Sequence, residues 1–296
     1  MLPIPPPRES GFTTTTAVPL YWCAYGPAGA PQLLVLHGGP GAHHDYLLPQ
    51  LLALAGRYDC IYYDQRGGGR SKTDDRTPIT WRTQVDDLRL VVSELGIAPL
   101  SLVGYSWGAL LALLYAIEGA RAPVAMAPCA RLALLDPAPI TRTWRDRFEA
   151  DFAVRMRSPG IAALRDALAA SGLRERDPDA YRQRAFELSV AGYFADPARA
   201  RDLTPFRVTG RVQQSIWESL GDFDLRGDLA TVRVPALVIH GRNDPIPLES
   251  SQGVASAIGA ELVVLDDCGH VPYVEQPAAL FTTLDRFLLA TDPPAL

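Results

Sequence analysis

The sequence predicts an α/β fold: a mostly parallel sheet flanked by helices, with a helical segment inserted into it. Three observations predict it. From about residue 20 to 136, short β-branched or aromatic runs alternate with longer runs of helical spacing, the βαβ signature of a parallel sheet. A second block of the same kind closes the chain. Between the two blocks no convincing strand occurs, and Arg, Asp, Glu and Ala dominate. The expected organisation is a core built from residues 1–136 and 227–296, with a helical cap at 137–226.

The elements follow in order. Residues 20–25 and 32–36 read as strands separated by the Gly26-Pro27-Ala28-Gly29-Ala30-Pro31 turn, and 60–63 as a further buried strand. From 81 to 95, Val85, Leu88, Val91, Val92 and Leu95 recur at three- and four-residue steps, one face of an amphipathic helix. Residues 100–104 then read as a strand, 107–118 as a buried helix and 132–135 as a strand. Within the inserted stretch, Trp144, Phe148 and Phe152, and then Phe186 and Val190, keep helical spacing. Strands at 236–239 and 262–265 and a helix at 278–289 complete the series.

Composition narrows the function classes. The 296 residues carry a net charge of −5, the 28 basic residues do not exceed the 33 acidic ones, and no run of five bases occurs. A nucleic-acid footprint is therefore not expected. The longest apolar stretch, 107–117, is about half the ~20 residues that span a bilayer, so no membrane span is expected. The start, Met1-Leu2-Pro3-Ile4-Pro5-Pro6-Pro7-Arg8, lacks the features of a secretory signal, and a cytoplasmic location is the expectation. Cys23, Cys60, Cys129 and Cys268 form no CxxC pair and no metal-ligand spacing. Neither a disulfide framework nor a metal is expected, and Cys60 and Cys268 read as packed thiols.

The chemistry begins at Gly104-Tyr105-Ser106-Trp107-Gly108, which fits G-x-S-x-G. Ordinary Gly and Ser usage yields such a match in about one chain in ten, so context decides. Here the serine falls where a strand gives way to a helix, as a nucleophile elbow requires. A serine hydroxyl is a weak nucleophile at neutral pH and needs a base, and the base needs a carboxylate to orient it. Asp244 follows the strand at 236–239, and His270 follows the last strand. The order Ser106, Asp244, His270 is the one found in α/β-hydrolases. His37, His43, His44 and His240 do not follow the final strand, and Asp266 and Asp267 are too close in sequence to His270 to reach around its ring. Oxyanion donors are expected from the backbone amides of Trp107 and of Gly39, in His37-Gly38-Gly39-Pro40-Gly41. That loop lacks the glycine spacing and the Lys-Ser or Lys-Thr of a phosphate cradle.

Taken with Asp64-Gln65-Arg66-Gly67-Gly68-Gly69-Arg70-Ser71, these motifs resemble the prolyl aminopeptidase (proline iminopeptidase) branch of the α/β-hydrolase fold. Gly41-Ala42-His43-His44-Asp45-Tyr46-Leu47 is similar to the tricorn-interacting aminopeptidases of that branch. The likeness covers both core blocks. It implies a cofactor-free serine hydrolase that releases N-terminal residues, proline above all, from short peptides beneath a helical cap. It also implies that Asp64 and Arg66 organise the loop beside the site, although a plain ion pair accounts for them equally well.

In that branch, glutamates from the cap are expected to hold the substrate ammonium. Aligning Asp222-Phe223-Asp224-Leu225 places Gln213 where one glutamate is expected and Asp196 near the other, with Glu187 and Glu218 as substitutes. Further substrate contacts are expected from Gly38 and from Trp144, Phe148, Tyr193, Phe194 and Trp217 as an apolar wall. The rival readings are a small-molecule esterase, lactonase or carbon–carbon bond hydrolase, and a non-catalytic ligand receptor on the same frame. Haloalkane dehalogenases and epoxide hydrolases resemble this fold but carry an aspartate where Ser106 stands. The partner is then a small molecule or short peptide; the oligomeric state is left open.

Overall fold

Strands β1 (Glu9–Phe12), β2 (Tyr21–Tyr25), β3 (Gln32–Leu36), β4 (Asp59–Tyr63), β5 (Leu100–Tyr105), β6 (Cys129–Leu135), β7 (Ala236–Gly241) and β8 (Glu261–Leu265) form one sheet in the order β1-β2-β4-β3-β5-β6-β7-β8. The structure, a computed structural model, describes residues 4–122 and 126–290, so the first three residues of the proline-rich start lie outside the described residues. β2 pairs antiparallel with β1 and β4, and every other pairing is parallel.

β4 is buried along its whole length and β3 at all but its first residue, because helices cover both faces of a parallel sheet. Helix α1 (Trp81–Glu94) starts at a Thr80/Thr83 capping box and turns Val85, Leu88, Val91 and Val92 inward, as its spacing predicts. Helix α2 (Trp107–Arg121) is buried on all sides from Trp107 to Ile117, which explains its uninterrupted apolar sequence. No described helix is long and apolar enough to cross a membrane.

Between β6 and β7 the chain runs through α3 (Arg142–Arg155), α4 (Pro159–Ala170), α5 (Leu173–Arg176), α6 (Pro178–Val190), α7 (Gly210–Leu220) and α8 (Arg226–Leu229). These helices bury little: α3 has no fully buried residue, and α7 buries only Val212 and Ile216. After β7 come α9 (Leu248–Ile258), α10 (Pro272–Glu275) and α11 (Pro277–Leu288).

β1 and α9 are among the elements that escape the sequence patterns. β1 is a four-residue edge strand with no buried residue, so it shows no alternation. α9 buries Ser250 and Ser251 beside Val254 and Ala255, and small polar residues leave no apolar stripe to read. The register places Leu36 beside Gly104 and Gly104 beside Leu134. The loops that follow β3, β5, β6, β7 and β8 therefore converge on one edge of the sheet, where α/β sheets carry their sites.

Candidate active site

Ser106 sits between β5 and α2 with φ 53° and ψ −116°, a conformation that costs a non-glycine residue strain. The neighbouring glycines make this turn possible. A Cβ on Gly104 would lie 2.6 Å from the Ala109 Cα, and one on Gly108 would lie 2.1 Å from the Leu36 carbonyl oxygen. Backbone bonds then hold the turn in place: Ser106 N–H donates to Leu135 O at 2.9 Å, and Ala138 N–H donates to Ser106 O at 3.1 Å.

Two loops bring their side chains to Ser106. His270 Nε2 lies 3.0 Å from Ser106 Oγ, and His270 Nδ1 lies 2.7 Å from Asp244 Oδ2. An ionised carboxylate only accepts, so Nδ1 carries the ring proton and Nε2 is free to accept from the serine. The second oxygen of Asp244 accepts from Ile246 N–H at 2.7 Å. His270 is 5% exposed and its N–H donates to Tyr193 O at 2.7 Å. Burial lowers the His270 pKa to about 4, which keeps the imidazole neutral at pH 7. Burial also raises the Asp244 carboxyl. Of the two rival acids, Asp266 pairs with Arg242 at the surface, and Asp267 lies exposed at φ 50°.

Above Ser106 opens a cavity of about 610 Å³. Among the residues expected there, Gly39, Trp107, Phe148, Tyr193, Trp217 and Glu218 line it, and so does Gln213. Gly38 lies directly against Ser106, and its N–H donates to Tyr46 Oη at 2.7 Å. Four expected contacts are corrected. Trp144 packs against Gly253 of α9 and the core beneath it, facing away from the cavity. Phe194 is buried in the core and does not line the cavity. Glu187 is tied to Gln183 and Arg184 on its own helix. Asp196 is exposed and caps Ala198 N–H at 3.0 Å.

Residues beside the site hold its loops in place. Asp64 is fully buried, and its Oδ1 accepts from His44 Nδ1 at 2.7 Å and His44 N–H at 3.0 Å, while Arg70 N–H reaches Oδ2 at 2.8 Å. It thus ties together the loops after β3 and β4. Arg66 grips Asp87 of α1 through two nitrogens. Cys60 and Cys268 are buried, and burial pushes both thiols up, Cys60 to about 12.

Sequence reasoning missed Arg145, Glu149, Phe152, Phe206 and Phe223 in the cavity wall. The Arg145 guanidinium lies 3.6 Å from the Trp217 ring centroid and pairs with Glu149 one turn along α3. Phe152 was visible in the spacing of Trp144 and Phe148; Arg145 and Glu149 gave no signal beyond an ordinary helical ion pair. Among the described residues one group, Asp136, His240 and Asp244, places metal-ligand atoms within 4.8 Å of one another, but Asp244 there is already bonded to His270.

Comparisons with known proteins agree with this architecture. A family model described as the alpha/beta hydrolase family matches residues 33–283. A proline iminopeptidase of Levilactobacillus brevis is 28% identical over 92% of this chain and 93% of its own length. Among solved structures, the proline iminopeptidase of Mycobacterium smegmatis superposes with a TM-score of 0.68 at 24% identity, covering 95% of this chain and 97% of that one. The enol-lactonase of Burkholderia xenovorans does so at 0.64 and 24%, covering 95% and 100%. At such identities the two structures speak for the fold alone.

Proposed function

The chain belongs to the alpha/beta hydrolase family, and on that premise we propose that it is a serine hydrolase which cleaves an ester or amide bond of a small substrate through an acyl-enzyme on Ser106. The observation that carries this is the hydrogen-bonded chain from Ser106 through His270 to Asp244, opening into the aromatic-walled cavity.

In this reading Ser106 Oγ attacks the substrate carbonyl carbon while its proton passes to His270 Nε2. Asp244 fixes the ring and stabilises the imidazolium. The oxyanion faces the N–H groups of Gly39 and Trp107. Trp107 opens α2, so its N–H has no intrahelical partner, whereas the Gly38 N–H is committed to Tyr46. His270 then returns the proton to the leaving group, and water activated by the same ring releases the acyl group. The helices at 137–226 act as a cap that supplies the apolar wall.

The specific version we favour is release of an N-terminal residue, proline above all, from short peptides. Glu218 and Glu149 bring carboxylates to the cavity for a substrate ammonium, and Phe148, Tyr193 and Trp217 offer rings for an apolar side chain. The named relatives support the same version. A second reading, a small-molecule esterase or lactonase, is favoured by two observations. Arg145 offsets the charge of Glu149, and a glutamine, Gln213, stands where the resemblance calls for a glutamate. Rates on proline naphthylamide, its N-acetylated form and a short nitrophenyl ester separate the two. Cleavage confined to the free amine supports the aminopeptidase, whereas ester turnover with no release of N-terminal proline refutes it.

A further inference from the structure

Behind the Asp244–His270 pair stands a second carboxyl group that the proposed mechanism does not use. Asp136 directly follows β6 and is fully buried. Its backbone holds φ 42°, one of three non-glycine residues at positive φ among those described; Ser106 is another. Backbone bonds pin it in place, since Asp136 N–H donates to Ile239 O at 2.8 Å. Strain of this kind persists only where the surroundings impose it.

The side chain is unevenly satisfied. Asp136 Oδ1 accepts from Gly241 N–H at 2.8 Å, while the buried Oδ2 has no donor among the described residues. Carboxylate oxygens of Asp136 and Asp244 lie within 4.8 Å of each other. Two carboxyl groups this close and this buried cannot both ionise, so the pair carries one shared proton. The donors decide where that proton resides. Asp244 receives hydrogen bonds on both oxygens, from His270 and Ile246, and these favour its charged form. Asp136 receives one bond and leaves Oδ2 bare, which is where a proton belongs.

We propose that Asp136 is a positioning residue: protonated on Oδ2, it donates a hydrogen bond to Asp244 and so fixes a single negative charge against the His270 ring. This rests on the reading of Asp244 and His270 as a catalytic pair.

The other groups around the pair allow it. His240 contributes no cation, because burial lowers its pKa to about 4, and its Nδ1 lies 2.9 Å from Ser251 Oγ. Glu275 accepts from Gly269 and Ala195 N–H, and the Arg155 guanidinium donates to the carbonyl oxygens of Asn243 and Asp244. Tyr105 Oη donates to His270 O, and Tyr273 and Cys268 are buried, with burial raising both. Burial raises both carboxyl groups, and the Asp136–Asp244 contact lowers Asp244 while raising Asp136, the direction a proton on Asp136 requires.

Infrared difference spectroscopy at pH 7, wild type against Asp136→Asn, reads the proton directly and independently of turnover. The expected result is a carboxylic-acid C=O band present in the wild type and lost in the variant. A difference spectrum showing only lost carboxylate bands overturns the proposal, as does a stoichiometric divalent metal in the purified protein. The pH profile of kcat/KM supplies the functional arm. Asp136→Leu removes the donated hydrogen bond, lowers kcat/KM at pH 7 by about 10- to 100-fold and moves the acid limb to higher pH, because Asp244 then protonates more readily. Asparagine copies the protonated carboxyl, accepting from Gly241 and donating to Asp244, so it recovers most of that loss and keeps the acid limb in place. If Asp136 is instead ionised, Asp136→Asn removes a negative charge facing His270 and the acid limb moves to lower pH, which contradicts the proposal. Equal activity in all three forms contradicts it too. Should Asp136→Leu fail to fold, the asparagine variant and its spectrum decide alone. The catalytic reading fails separately, through undiminished turnover in Ser106→Ala, which leaves the infrared result standing.

Discussion

Asp244 and His270 are 7% and 5% exposed and reach Ser106 from loops locked to strand ends, whereas Arg145, Glu149 and Glu218 reach the same cavity from helices that bury almost nothing. The two sides of the cavity are therefore held by different means. On the sheet side, backbone bonds such as Ser106 N–H to Leu135 O set each side chain to within a hydrogen-bond length. On the insertion side, surface ion pairs and ring contacts set the shape, and exposed ion pairs are worth only ~0–1 kcal/mol each. The difference separates the two tasks. On the proposed reading the bond-breaking chemistry rests on the rigid edge and the choice of substrate on the looser wall, where substitutions should change specificity at little cost in stability.

The sharpest way to break this comparison is at the rigid edge. Asp244→Asn leaves the geometry nearly intact but puts the wrong proton on the ring, and in the well-studied serine triad this change costs about four orders of magnitude in turnover. A similar loss in kcat is expected here, measured on whichever substrate is turned over fastest. A loss below tenfold would transfer the orienting role to another carboxylate. Gly108→Ala probes the same edge without touching a reacting group. Its new Cβ would overlap the Leu36 carbonyl, so destabilisation of ~3 kcal/mol or more is expected in chemical denaturation, and a stable variant would show that the elbow yields.

On the insertion side the expected effects are smaller and selective. Glu218→Gln should lower kcat/KM by about 10- to 150-fold on a substrate with a free N-terminal ammonium and leave its N-acetylated form unchanged, the value of one charge-assisted hydrogen bond. Equal losses on both substrates would mean that Glu218 shapes the wall and does not read charge.

A smaller effect again belongs to the loops after β3 and β4. Burial alone would lower the His44 pKa, but Asp64 and Cys23, through their hydrogen bonds and charge together, outweigh it and raise the group to about 10. A raised folded-state pKa means that this contribution is complete below the unfolded value of about 6.5 and is lost as pH rises toward about 10. Thermal stability should fall across that window, and His44→Gln should flatten the fall. An unchanged slope in the variant would assign the pH dependence to other groups.

The contrast between the two sides also explains what was legible in the sequence. Ser106, Asp244 and His270 could be singled out because each stands at the end of an apolar run, and chain order gives the roles proposed for them. Strand ends are sharp signals, since burial on both faces makes the strands mostly apolar runs. The residues of the inserted helices could not be read in the same way. α3 has no buried stripe, so its spacing gives a helix but not what each residue meets: Trp144 packs on α9, while Phe148, one turn further on, lines the cavity. The partner of Asp64 could not be read, because His44 stands twenty positions away in sequence. Asp136 gave no signal because Asp136-Pro137 reads as an ordinary turn, and only the packing of β6 beside β7 brings its carboxyl to Asp244.

The central claim is that Ser106 is a nucleophile made reactive by His270, and covalent labelling tests it most directly. After treatment with a fluorophosphonate probe, intact-mass measurement should show a single adduct on the wild type, none on Ser106→Ala and greatly slowed labelling on His270→Ala. Equal labelling of wild type and Ser106→Ala, or no labelling of the wild type at all, would contradict it.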